Sequence, residues 1–100
     1  MKVKDLEIGM MVKPAGDNEV FHIWSDPLSI DKLPYVRVAI NSSRTYAGSS
    51  ITKDAAVYLG TREDVGFTKE DNAWSNRYIL VRGKICPVDP SSWARMKPVI

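Results

Sequence analysis

Proton transfer near neutral pH asks first for a histidine, and this chain has one, His22, flanked by Phe21 and Ile23. A Ser-His-Asp or Cys-His device would need His22 to meet a nucleophile and return its proton. Its place in an alternating apolar run predicts a side chain on the outer face or rim of a strand instead. Cys86, the single cysteine, sits before Pro87 at an expected strand end, and no feature marks an electropositive pocket that would hold it as a thiolate. It reads as small buried filler. One histidine and one cysteine do not make a zinc site, which needs clustered ligands. Glu63-Asp64 and Glu70-Asp71 are adjacent carboxylates without the alternation or the glycine of a calcium loop, so they read as solvated charge. Ala47-Gly48-Ser49-Ser50 lacks the second glycine and the lysine of a phosphate loop. The residues therefore predict no enzyme, no metal and no cofactor, and a small-molecule ligand is not expected.

Basic and aromatic residues keep closer company. Tyr35 and Arg37 fall on an expected outward strand face, Arg44 and Tyr46 share a loop, and Trp74, Arg77 and Tyr78 form a third group. Small barrels stack bases on exposed aromatic rings beside cations. Arg37, Arg44, Tyr46, Trp74 and Arg77 are thus the candidate residues for binding a partner or a nucleic acid. The competing reading has the rings closing the ends of a barrel while the arginines keep it soluble. Net charge is +2, too slight to imply a phosphate-binding footprint by itself. Residues 72–100 are more one-sided, with Arg77, Arg82, Lys84, Arg95 and Lys97 against Asp89 alone, and predict a mildly basic face.

The elements that must position these groups read mostly as short strands. Residues 4–9 form a turn leading into a strand at Met10–Lys13, stopped by Pro14 and the Gly16-Asp17-Asn18 cluster. Val20–Trp24 is rich in β-branched and aromatic residues and ends before Pro27. Tyr35–Ile40 alternates, with Val36, Val38 and Ile40 on the expected core face and Tyr35, Arg37 and Ala39 on the other. Residues 41–50 predict an exposed loop. Val57-Tyr58-Leu59, closed by Gly60, predicts a strand, and residues 61–76 a long connection with a capped turn at Thr68–Asp71. Two arms, Tyr78–Val81 and Lys84–Cys86, flank an Arg82-Gly83 hairpin turn. Asp89 as N-cap and Pro90 at the first helical position start a short helical turn that ends near Lys97-Pro98. Val99-Ile100 adds a closing edge strand.

At 100 residues, 44% apolar and 26% charged, the chain has the size and composition of one globular domain covering residues 1–100. No apolar run approaches the roughly 20 residues of a spanning helix or the about 7–15 of a signal-peptide core, so a membrane role is not expected. The lone cysteine fits a reducing compartment, and the expected location is the cytoplasm. Five to six short strands with one or two short helical turns predict a mainly β fold, a small barrel or sandwich.

The opening Asp5-Leu6-Glu7-Ile8-Gly9-Met10-Met11-Val12 resembles the start of many SH3-like small barrels: leucine, spacer, hydrophobic residue, glycine, then strand. The closing Tyr78-Ile79-Leu80-Val81-Arg82-Gly83-Lys84-Ile85, followed by Trp93, is similar to the end of small SH3-like proteins of tailed phages. The resemblance implies an SH3-like barrel and a phage or bacterial setting. It departs from peptide-binding SH3 domains by lacking their clustered acidic and aromatic loop. The expected role is a non-enzymatic binding or assembly module that engages a protein partner, or a second copy of itself, through loops and a sheet edge. The alternative is a nucleic-acid-binding barrel.

Overall fold

Residues 5–25, 34–41, 49–66 and 77–99 are described by a computed structural model. In chain order they form β1 (Met11–Pro14), β2 (Glu19–Trp24), β3 (Tyr35–Ile40), β4 (Ser49–Thr52), β5 (Ala56–Thr61), α1 (Arg62–Val65), β6 (Arg77–Val81), β7 (Lys84–Pro87), a 3-10 helix (Pro90–Arg95) and β8 (Met96–Pro98). The protein is a small all-β domain with two sheets. One has five strands in the order β7-β6-β5-β1-β8 and the other has three in the order β3-β2-β4. Strand neighbours in both are antiparallel. Among the described residues the pairings do not close the two sheets into one barrel; Val36 and Val88 join them through an isolated parallel bridge.

Period-two alternation decides which side chains enter the space between the sheets. Val12 of β1, Phe21 and Ile23 of β2, Val36 and Val38 of β3, Ala56 and Tyr58 of β5, and Ile79 and Val81 of β6 face inward. Cys86, Val88, Trp93 and Met96 complete the same cluster. Burying an aliphatic or aromatic side chain of this size contributes roughly 1.5–3 kcal/mol. The Trp93 ring meets the Tyr58 ring edge-on, with centroids 5.7 Å apart and an interplanar angle of 89°. The Arg77 guanidinium donates to the Tyr58 hydroxyl.

The turns follow from residue type. Arg82 (φ 52°) and Gly83 (φ 74°) both take the left-handed conformation, as a two-residue hairpin matched to strand twist requires. Asp89 accepts a hydrogen bond from the Ser91 amide at 3.1 Å, capping the 3-10 helix, with proline in its first turn. That helix packs along the outer edge of β3. The Asp89 amide donates to the Val36 carbonyl at 3.0 Å, the Val38 amide to Ser92 Oγ at 2.9 Å, and the Arg95 guanidinium to the Val38 carbonyl at 3.2 Å. An edge that would otherwise expose a row of free backbone groups is filled.

Several expectations shift. The described residues hold eight strands rather than five or six. Ser49 and Ser50 belong to β4, not to a loop, because β2 pairs with Ser49–Thr52 along the edge opposite β3. The connection after β5 opens with α1, where Asp64 accepts hydrogen bonds from the Thr61 amide at 2.8 Å and the Thr61 hydroxyl at 2.9 Å. The capped turn expected at 68–71 lies outside the described residues. The last strand is Met96–Pro98 instead of Val99-Ile100; the Val99 amide still donates to the Met11 carbonyl at 3.0 Å, and Ile100 lies outside the described residues. Val36 and Val38 are buried as alternation requires, whereas Ile40, at the end of β3, is 66% exposed.

Candidate functional site

Register builds a surface on the outward side of the five-stranded sheet. Met11 stands opposite Val57, Val57 opposite Leu80, and Leu80 opposite Ile85. Val12 pairs with Pro98, which sets Val99 beside Met11. Five apolar side chains, Val99 just after β8, Met11, Val57, Leu80 and Ile85, therefore form one row across the sheet. Met11, Leu80 and Val99 are exposed, and Val57 and Ile85 are half-buried. On β1 and β8 the next outward position is a directly opposed pair of like charges, Lys13 and Lys97. With Lys53, Asp17 and Glu19 they line a hollow of about 200 Å³. Near the hairpin, Arg82 pairs with Asp54 at 3.5 Å. An aliphatic stripe thus runs between charged margins.

The three-stranded sheet presents a different face. Its outward side carries one row of Ser49, Trp24 and Tyr35, and a second row of Ile51, His22 and Arg37. Val20 and Ala39 lie beyond the second row, so among the described residues the outward strand positions of β2 and β3 carry no carboxylate. Trp24 is 50% exposed. Burial pushes the Tyr35 hydroxyl up to about 12, with Asp89 adding to the shift and Arg37 opposing it. At the β3 edge, Arg37, Arg95, Ser91 and Asp89 border a shallow hollow of about 340 Å³ floored by Val38–Ile40. Arg95 is held in place there by Glu19 and by the Val38 carbonyl.

His22, in the middle of that face, is lowered from the ordinary 6.5, first by burial and then by the Arg37 charge across the strand pair. Its Nε2 is buried without a hydrogen-bond partner among the described residues. The unfolded chain binds a proton near 6.5 and the folded chain resists it, so stability falls as pH drops below about 6.5 and levels off once the lowered folded value is passed. Thermal melts of the protein and of His22→Gln between pH 5 and pH 7.5 are expected to show a shallower acid decline in the variant. Equal slopes would remove His22 from the acid response.

Of the five residues proposed from sequence, Arg37 and Arg77 are described; Arg44, Tyr46 and Trp74 lie outside the described residues. Arg37 is exposed on β3. Arg77 starts β6 in the other sheet and gives its guanidinium to Tyr58. The two strands meet through Val88, whose amide donates to the Arg77 carbonyl at 3.1 Å and which bridges Val36. Tyr78, grouped with Arg77 in the sequence, is fully buried and offers no surface. Cys86 is buried filler as expected, and burial raises its thiol to about 11, leaving it protonated at neutral pH. Trp24 is not among the five, although the alternation that turns Phe21 and Ile23 inward turns His22 and Trp24 outward. The aliphatic row had no sequence signal, since its members come from four separate strands and the residue after β8.

Among the described residues no group of three or more His, Cys, Asp or Glu side chains could hold a metal ion, and no helix is long and apolar enough to cross a membrane. The class these features define is a small two-sheet β domain with two dissimilar outward faces. Compared with known protein families, curated proteins and solved structures, the chain matches none.

Proposed function

We propose that the chain is a small non-enzymatic binding module of SH3-like type that docks a protein partner on the outward face of its five-stranded sheet. The single observation that carries this reading is the row Val99, Met11, Val57, Leu80 and Ile85. At the usual spacing between strands, roughly 4.8 Å, the row spans about 19 Å, wide enough to form the apolar centre of an ordinary interface. Scattered apolar residues on a surface need no explanation, but a continuous stripe with a charged margin marks an interaction site. Lys13, Lys53 and Lys97 supply the kind of polar rim that surrounds such a centre. The SH3-like reading rests on the order of the parts: a glycine turn at Ile8-Gly9 into β1, a tight hairpin between β6 and β7, and a 3-10 turn before the last short strand.

A sheet face suits docking better here than the edge expected from sequence. The outer edge of β3 is filled by the 3-10 helix, β7 and β8 each end in proline, which donates no backbone hydrogen bond, and the remaining edge strand, β4, is only four residues long. A photo-reactive residue at position 57 or 80 is expected to crosslink the chain to a discrete protein, or to its own copy, inside its native cell. The same residue at position 63, on α1, is expected to yield no such species. Equal yields at all three positions, or none at 57 and 80, would refute the proposal.

A further inference from the structure

Independently of the five-stranded sheet, the geometry points to a second site, on the three-stranded sheet: a single-stranded nucleic acid lies over Trp24 and Tyr35, with its backbone phosphate at Arg37 and Arg95.

Trp24 and Tyr35 are direct cross-strand neighbours in the outermost pairing of β2 and β3. Side chains so placed are about 5 Å apart at Cβ and project from the same side of the sheet. Trp24 is 50% exposed, so its indole is accessible beside the Tyr35 ring rather than committed to the core. Flat aromatic rings accept any base by stacking, which is why single-strand binders use them without sequence preference. Arg37 stands in the adjacent row, exposed, and makes no salt bridge among the described residues.

The hollow at the β3 edge adds the second half of the site. Arg37 and Arg95 border it together, and Ser91 contributes a hydroxyl. Glu19 and the Val38 carbonyl fix the Arg95 guanidinium, and a guanidinium with five N–H donors retains some for a phosphate oxygen. The one carboxylate bordering the hollow, Asp89, is turned to the Ser91 amide as a helix cap. Rings plus paired cations suit a ligand with π faces and negative charge; the aliphatic row on the other sheet has neither rings nor cations within it. An acidic peptide would use the arginines but leave the indole without a flat partner.

The test is titration of the full chain against labelled oligothymidine and oligouridine of about 10 nucleotides, at about 50 mM and 200 mM salt. Saturable binding to either strand is expected at the lower salt. Trp24→Ala is expected to weaken it about tenfold, and Trp24→Phe to recover part of that loss. Arg37→Ala is expected to weaken binding at low salt and to reduce the slope of log affinity against log salt by about 0.7. Arg37 is exposed, so this variant folds and reads the site even if Trp24→Ala does not. Asp89→Asn keeps a capping side chain while removing the charge, and is expected to bind more tightly. No binding at low salt, affinity unchanged in Arg37→Ala, or equal affinity for duplex and single strands would overturn the proposal. None of these variants touches the aliphatic row, so crosslinking from position 57 is expected to be unchanged in them.

Discussion

Trp93→Ala is expected to destabilise the protein by about 3–5 kcal/mol, the usual cost of removing a large aromatic side chain from a core. Trp93 is the buried aromatic residue of the 3-10 helix and packs edge-on against Tyr58, which is itself hydrogen-bonded by Arg77. The truncation therefore empties the core at the point where the helix is anchored. The consequence is specific, because this helix supplies Ser92 and Arg95 to the backbone of β3. Loss of the anchor is expected to release the Val38 amide to hydrogen exchange before the amides of β6. Trp93→Phe retains an aromatic edge and is expected to cost about half as much, keeping the comparison measurable if the alanine variant unfolds. Urea melts give the stability, and exchange at Val38 against Ile79 gives the order. Faster exchange at Ile79 than at Val38 in Trp93→Phe would show that the helix is not what protects β3.

The parts of the fold that were legible in the sequence are those specified by neighbouring residues. Tyr35–Ile40 alternates within six positions, the Arg82-Gly83 turn needs only two residues able to take the left-handed conformation, and Asp89-Pro90 carries both cap and first turn. Cys86 could be read as buried because nothing around it favours a thiolate. By contrast, β4 is Ser-Ser-Ile-Thr, a poor strand sequence that becomes a strand because β2 offers it a free edge nearly thirty positions earlier in the chain. Ile40 continues the alternation of Val36 and Val38, yet it lies at the strand end, where no opposing layer covers it. Tyr78 has the residue type of a surface stacker and the burial of a core residue.

The two proposed surfaces were legible to different degrees for the same reason. Tyr35 and Arg37 stand two positions apart on one strand, so their shared face is local information; Trp24 joins them only through the β2–β3 register. The aliphatic row is entirely a product of register. Met11 and Leu80 are nearly seventy positions apart, and the residue between them in space, Val57, belongs to a strand that pairs with both. A slip of one residue in either pairing would bury the row and expose Ile79 or Val12. The face therefore exists only because the core has fixed the pairing.

Met11→Lys combined with Leu80→Lys is expected to weaken partner docking by at least a hundredfold. Residues at the apolar centre of an interface each contribute on the order of 1–3 kcal/mol when truncated, and a buried unpaired ammonium costs more than the missing contact. The row already ends against Lys13 and Lys97, so the new charges also meet like charges at its margin. Met11 and Leu80 are exposed in the isolated chain, and the substitutions leave the inward-facing Val12, Ile79 and Val81 untouched. Folding stability is therefore expected to change by less than about 1 kcal/mol. Loss of the crosslinked species from position 57, with a melting transition close to that of the unsubstituted protein, is the expected result. Leu80→Met, which conserves apolar volume, is expected to leave docking nearly intact and separates the effect of charge from that of replacement. If the doubly charged protein still yields the crosslinked species in full, the partner does not lie on this face.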